Sequence, residues 1–130
     1  MIVVDASAMV RILLNISPRE DITDLILDSG ESVHAPHLLD AEVAQVVRRF
    51  AAAAEIDEMR GLLALETLRA FQIQRHRHDH LLPRVWALRH NFTAYDALYV
   101  ALAESLGGRL LTRDLRLRAA TETHTRVELA

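Results

Sequence analysis

Apolar positions along the chain follow two rhythms. Ile2, Val3 and Val4 are consecutive and β-branched, which predicts a strand buried on both faces. Residues 6–14 predict a short helix, 15–19 with Pro18 a loop, and 20–28 a helix ended by Gly30. Residues 32–35 predict a strand stopped by Pro36. In 38–54, Leu39, Val43, Val46, Val47 and Phe50 share one face at helical spacing. A second helix is predicted over 56–68, starting near Glu55. Residues 71–74 alternate apolar and polar as a strand does. Residues 81–89 predict a helix with Pro83 in its first turn, and 94–106 a helix ended by Gly107 and Gly108. Leu110 and Leu111 then form the core of a strand (110–112), 114–119 a short helix and 126–129 a last strand.

Strands separated by helices predict an α/β domain with a parallel sheet and helices on both faces. Ligands of such sheets gather outside the carboxyl ends of the strands. The 130 residues fit one domain, residues 1–130. A 51% hydrophobic and 25% charged composition is that of a globular chain. There is no cysteine, which excludes disulfides, thiolate zinc sites and cysteine nucleophiles and accords with a reducing cytoplasm. The longest apolar run, 97–103, is far shorter than a membrane span. Asp5 interrupts the first apolar stretch and no basic leader precedes it, so no signal peptide is expected. The net charge of −3 does not advertise nucleic-acid binding. All the Lys and Arg positions are arginine, so chemistry requiring lysine is excluded.

Several acids fall where this topology puts chemistry. Asp5 follows the first strand and Asp114 follows the strand at 110–112; parallel strands would bring both to one edge. Each could equally cap the helix after it. Thr93-Ala94-Tyr95-Asp96 has the form of a capping box, and a carboxylate at a helix start can both cap and bind a metal. Glu42 falls on the core-facing arc of its helix, where a carboxylate is costly unless paired, hydrated at the edge or metal-bound. If these acids converge, their charges cannot all persist without cations. An all-oxygen set selects Mg²⁺ or Mn²⁺, ions suited to phosphodiester hydrolysis.

Four fragments carry a family resemblance. They are Ile2-Val3-Val4-Asp5-Ala6-Ser7-Ala8, Ala35-Pro36-His37-Leu38-Leu39-Asp40-Ala41-Glu42-Val43, Thr93-Ala94-Tyr95-Asp96-Ala97-Leu98-Tyr99-Val100-Ala101-Leu102-Ala103-Glu104 and Leu110-Leu111-Thr112-Arg113-Asp114-Leu115-Arg116-Leu117. In this order the chain resembles the PIN-domain ribonucleases, and within them the VapC toxins of type II toxin–antitoxin modules. The resemblance implies a three-layer α/β/α fold around a mainly parallel sheet. It implies a metal site of Asp5, Glu42, Asp96 and Asp114, with Asp5 and Asp96 the nearest Mg²⁺ ligands. Thr112 and Ser7 would hydrogen-bond the carboxylates or their waters. The implied activity is metal-dependent endoribonuclease action, in which an activated water attacks the RNA phosphodiester and leaves 5′-phosphate and 3′-hydroxyl ends. An antitoxin that inhibits the enzyme is implied, as is a homodimer or a hetero-oligomer with the antitoxin. The amphipathic helices 20–28 and 38–54 could hold a partner helix, or face only their own core.

Arg113, Arg116 and Arg118, around the acid that follows the strand at 110–112, could guide RNA, Arg113 and Arg116 being the candidate contacts, although a solvated helix face is the plainer expectation. His76, His78 and His80 would share a face if extended, but 75–80 reads as a solvated connection. Trp86 with Leu82, and Tyr95 with Tyr99, are expected to pack. No glycine-rich phosphate loop is present. A receiver- or phosphatase-type phosphotransfer domain lacks its lysine here, and Asp5 has no D-x-D partner. A PIN-like scaffold that binds RNA or protein without cutting is the competing function.

Overall fold

The computed structural model describes residues 1–16 and 20–130, the side chains of Glu20 and Asp21 excepted; most of the predicted loop at 15–19 lies outside them. The sheet has the order β3-β2-β1-β4, from β1 (Ile2–Val4), β2 (Val33–Pro36), β3 (Gln74–His76) and β4 (Arg109–Leu111). Every pairing is parallel. The helices are α1 (Ala6–Leu13), α2 (Glu20–Asp28), α3 (Leu38–Ala52), α4 (Glu58–Ala70), α5 (Leu82–Ala87), α6 (Ala94–Leu106) and α7 (Leu115–His124). They flank the sheet as the α/β/α expectation requires. Helices α1, α3 and α4 pack together, while α6 lies against β1, β2 and β4 and carries α5.

The β-branched run of β1 is wholly buried, as a central parallel strand must be. Leu39, Val43 and Val47 bury the inner face of α3, with Val46 and Phe50 half-buried beside them. Helix α6 buries every residue from Ala97 to Ala103. It ends at Gly107, whose φ of +62° favours glycine.

Several predicted boundaries move. Pro36 does not stop β2 but ends it from inside, where the ladder runs out and its missing N–H is tolerated. The strand predicted at 71–74 lies at Gln74–His76 instead. Helix α4 runs on to Ala70, the Phe71 N–H still bonds back to the Thr67 carbonyl, and 71–73 turn out of the helix. The start of α4 moves from 56 to Glu58 because the Asp57 carboxylate caps it, accepting from the Arg60 N–H at 2.7 Å. The helix predicted at 114–119 extends to His124. The last strand at 126–129 is reduced to one parallel bridge, Leu110 to Leu129.

Three packing expectations are overturned. Residues 75–80 are not simply a solvated connection, because Arg75 and His76 belong to β3. Arg75 grips Asp40 through two hydrogen bonds of 2.8 and 3.0 Å and reaches the Leu68 carbonyl. His76 bonds the ring of buried His34 at 2.8 Å. Trp86 and Leu82 are exposed, not core; α5 buries Val85 and its neighbours Leu81 and Leu88, which turns Trp86 outward. The Arg89 guanidinium lies 4.4 Å above the indole. Of the tyrosine pair, Tyr99 is buried but Tyr95 is exposed.

Candidate active site

The sheet register builds one edge of the site. Val4 pairs with Leu111, and the Asp5 N–H continues that ladder to the Leu111 carbonyl at 3.1 Å. Asp5 and Thr112 therefore leave the sheet side by side at its carboxyl edge, where a parallel sheet gathers ligands. Asp5 is only 5% exposed. Its Oδ1 accepts from the Ser7 hydroxyl at 2.7 Å and the Ala8 N–H at 3.0 Å, and its Oδ2 accepts from the Thr112 hydroxyl. Thr112 and Ser7 are themselves 3.2 Å apart. Ser7 Oγ accepts from the Arg113 N–H at 2.8 Å, and Thr112 Oγ1 from the Asp114 N–H at 3.0 Å. One polar net thus joins the end of β1, the start of α1 and the end of β4.

The other acids arrive from three helices. Asp96 is in the first turn of α6, its N–H bonded to the Thr93 cap at 3.1 Å. Glu42, one turn into α3, accepts from the Tyr99 hydroxyl at 2.6 Å. Asp114 caps α7, accepting from the Arg116 and Leu117 N–H groups at 2.8 and 3.2 Å. Capping and clustering therefore coincide for Asp5 and Asp114, while at Asp96 the cap is Thr93.

The electrostatics tie the four together through Asp96. Burial raises the Asp5 carboxyl to about 6; its hydrogen bonds oppose that rise and the charge on Asp96 adds to it. Burial likewise raises Glu42, against the Tyr99 hydrogen bond and with the Asp96 charge. Asp96 is raised by burial and then by Asp114, and is drawn back by the Arg116 cation. Asp5, Glu42 and Asp96 thus hold their protons more tightly than exposed carboxylates do, through burial first and neighbouring charge second. A bound cation relieves such a cluster.

The carboxylates are the donor set this edge offers to a divalent ion. It is all oxygen, which matches Mg²⁺ or Mn²⁺. Among the described residues, no three acid, histidine or cysteine side chains stand close enough to form one ligand set. Magnesium takes one or two carboxylates directly and keeps its waters, so a looser, mutually repelling cluster fits it where a zinc-like cage would not.

Tyr99 is the residue that sequence reasoning missed. It stands one turn after Asp96 on the same helix face, so the i,i+3 spacing was the available signal. Arg113 and Arg116 both lie beside the cluster, one through its backbone N–H and the other through its charge. A broader groove of about 720 Å³, between Leu27, Gly30, Phe71 and Gln74, touches none of the four acids.

A sequence profile of the PIN domain matches residues 2–122. A VapC ribonuclease of Mycobacterium bovis is 43% identical over 117 residues, covering 90% of this chain and 88% of that one. Ribonuclease VapC1 of Mycobacterium tuberculosis is 44% identical over 119 residues, covering 91% and 89%. The crystal structure of Mycobacterium tuberculosis VapC20, a toxin that cleaves the sarcin–ricin loop, superposes with a TM-score of 0.71 at 16% identity over 92% of this chain and 95% of that one. The chain belongs to the PIN-domain family, within its VapC ribonucleases.

Proposed function

We propose that the protein is an Mg²⁺-dependent endoribonuclease, the toxin of a type II toxin–antitoxin module acting in the cytoplasm. The observation that carries this is geometric: at the carboxyl edge of the sheet the Thr112 hydroxyl joins the Asp5 carboxylate to the Asp114 N–H, and Asp114 and Asp96 line one hollow beside it. Asp5 and Asp96 are the nearest candidates to hold the ion, with Glu42 and Asp114 completing its surroundings. When bound, Mg²⁺ (or Mn²⁺ in its place) supplies the charge that offsets the carboxylates and acidifies water at the site.

The chain's own groups do the rest. Ser7, Thr112 and the Ala8 N–H fix both oxygens of Asp5 as acceptors. Tyr99 orients Glu42, whose raised proton affinity suits it to take a proton from the attacking water. Water oxygen bonds to phosphorus, the bond to the 3′ oxygen breaks and that oxygen gains a proton. The ends are 5′-phosphate and 3′-hydroxyl. Arg113 and Arg116 bring cationic forks to the RNA on a chain of net charge −3. The same proposal includes an inhibitory antitoxin partner, and a homodimer or a hetero-oligomer with that antitoxin. A non-cleaving scaffold would have no use for four coupled acids.

Asp96→Ala should lower RNA cleavage at least ~100-fold while the protein remains folded, and should abolish growth arrest on expression. Chelation should stop the wild type and Mg²⁺ restore it. End mapping of RNA from cells making the wild type or Asp96→Ala reads the cut sites. Equal cutting by both proteins, or cutting unaffected by EDTA, overturns the proposal.

A further inference from the structure

Strand β3 is three residues long and lies on the edge of the sheet, and its hold on β2 includes a bond between two titratable rings. We propose that Ser32, His34 and His76 form a proton-counting clamp: the bonded rings accept one added proton between them, and a second, taken up in acid, parts them and releases β3 from the sheet. The inference asks nothing of the four acids and stands apart from the ribonuclease reading.

The clamp is a chain of three side chains. Ser32 Oγ lies 2.7 Å from His34 Nε2, and His34 Nδ1 lies 2.8 Å from His76 Nε2. The ring centroids are 5.1 Å apart. In the ladder His34 stands opposite Gln74, and His76 opposite Pro36, so the ring bond crosses from β2 to β3 on the diagonal. His34 is 4% exposed, which leaves water little room to replace a lost partner, and His76 is half-buried.

The count follows from what an imidazole can donate and accept. With both rings neutral, the serine hydroxyl donates to His34 Nε2 and His34 Nδ1–H donates to His76 Nε2. One added proton reverses the chain. His76 Nε2–H then donates to His34 Nδ1, and His34 Nε2–H donates to Ser32 Oγ, so all three atoms of the chain remain paired. A second added proton sets N–H against N–H and two cations side by side at a buried place, an arrangement that costs more than the bond is worth. A detached strand has no such limit.

The surroundings offer the second cation no relief. Burial, then His76, then the Met1 ammonium hold His34 below its ordinary value of 6.5. The carboxylates on the neighbouring elements have other partners. Glu31 binds the Met1 ammonium and Arg109. On α3, Asp40 binds Arg75 and Glu42 binds Tyr99. Glu104 on α6 binds Arg84 of α5, and Asp79 binds Arg77. Asp5 on β1 and Asp96 at the start of α6 act on one another. His37, which follows β2, brings no negative charge.

The sign is fixed by the count. Below 6.5 the detached strand binds one proton more than the attached strand, so detachment gains as pH falls, tenfold per pH unit at the limit. With the first proton bound alike in both forms, opening of β3 should rise about thirtyfold between pH 7.5 and pH 5.0. Asp5 responds to acid in the opposite sense, but it lies on β1 and a local opening of β3 leaves it in place.

Hydrogen exchange at the amides of residues 74–76, corrected for the intrinsic effect of pH, reads that opening. The wild type should show the thirtyfold rise there and not at residues 2–4. His34→Gln and His76→Gln each leave one titrating ring and a side-chain amide that can still bond it, so each should flatten the rise to within about twofold. No rise in the wild type, or the same rise in both variants, overturns the inference. Imidazole titration of the wild type by NMR decides the matter even if neither variant folds. One proton taken up while the amides of 74–76 stay protected, and the second only as they lose protection, supports the clamp. Two protons taken up with that protection intact overturns it.

Discussion

Replacing Asp5 with asparagine should make the ion-free protein more stable. Folded Asp5 keeps its proton up to about pH 6, whereas the unfolded carboxyl releases it near 3.8. Between those values folding takes up a proton, so the stability that depends on this residue falls as pH rises and levels off above 6. At 1.36 kcal/mol per pH unit the full cost is about 3 kcal/mol. Asparagine cannot ionise and escapes it. Its oxygen can keep the bonds from Ser7 and Ala8, and its amide can donate to Thr112 Oγ1 if that hydroxyl turns toward Ser7, 3.2 Å away. Allowing about 1 kcal/mol for the rearranged hydrogen bonds, Asp5→Asn should gain about 2 kcal/mol at pH 7.5 and lose that advantage by about pH 4. Urea unfolding in EDTA across this range measures it. Added Mg²⁺ should close the gap, since an ion at 100 times its Kd stabilises only the protein that binds it, by about 2.7 kcal/mol. An asparagine variant no more stable than the wild type at pH 7.5, or an advantage that persists undiminished at pH 4, would refute the reasoning.

Tyr99→Phe removes the hydrogen bond that holds Glu42 in its charged form, so the acid limb of the cleavage pH profile should move upward. A hydrogen bond to a charged group is worth about 1.5–3 kcal/mol, which predicts a loss that is larger at pH 6 than at pH 8; an unmoved limb would contradict it. Gly108→Ala would set a Cβ 2.9 Å from the Met1 carbonyl oxygen, a backbone atom that cannot easily yield. The cost should be about 1–3 kcal/mol, seen as a lowered melting temperature with cleavage at saturating RNA preserved below it.

The parallel sheet was legible because β1 is too apolar to have a wet face, and because glycines and caps mark the helices between the strands. The acids at strand ends were legible for the same reason: topology alone sends residues 5 and 114 to one edge. The proposal that they share a site with Glu42 and Asp96 came from the family resemblance, since helical periodicity placed Glu42 on an arc without naming its neighbour. The strand at 74–76 was hidden because its determinants are distant. Asp40 and the Leu68 carbonyl hold Arg75, and His34 holds His76, so a short polar segment becomes a strand that local alternation cannot predict. Trp86 misled because its i,i+4 partner Leu82 is also outward, and periodicity does not say which of two stripes on a short helix meets the core.

The net around Asp5 has a further consequence for genetics. The same carboxylate starts helix α1 and clasps the neighbouring strand's threonine, so lesions here that shorten or remove the side chain should reduce how much protein survives in the cell as well as what it does. Selections for cells that outgrow the arrest should therefore recover two kinds of survivor. Those altered at position 5 to a small residue should contain little intact protein. Those altered at position 96, whose helix is started by Thr93, should accumulate it at full abundance.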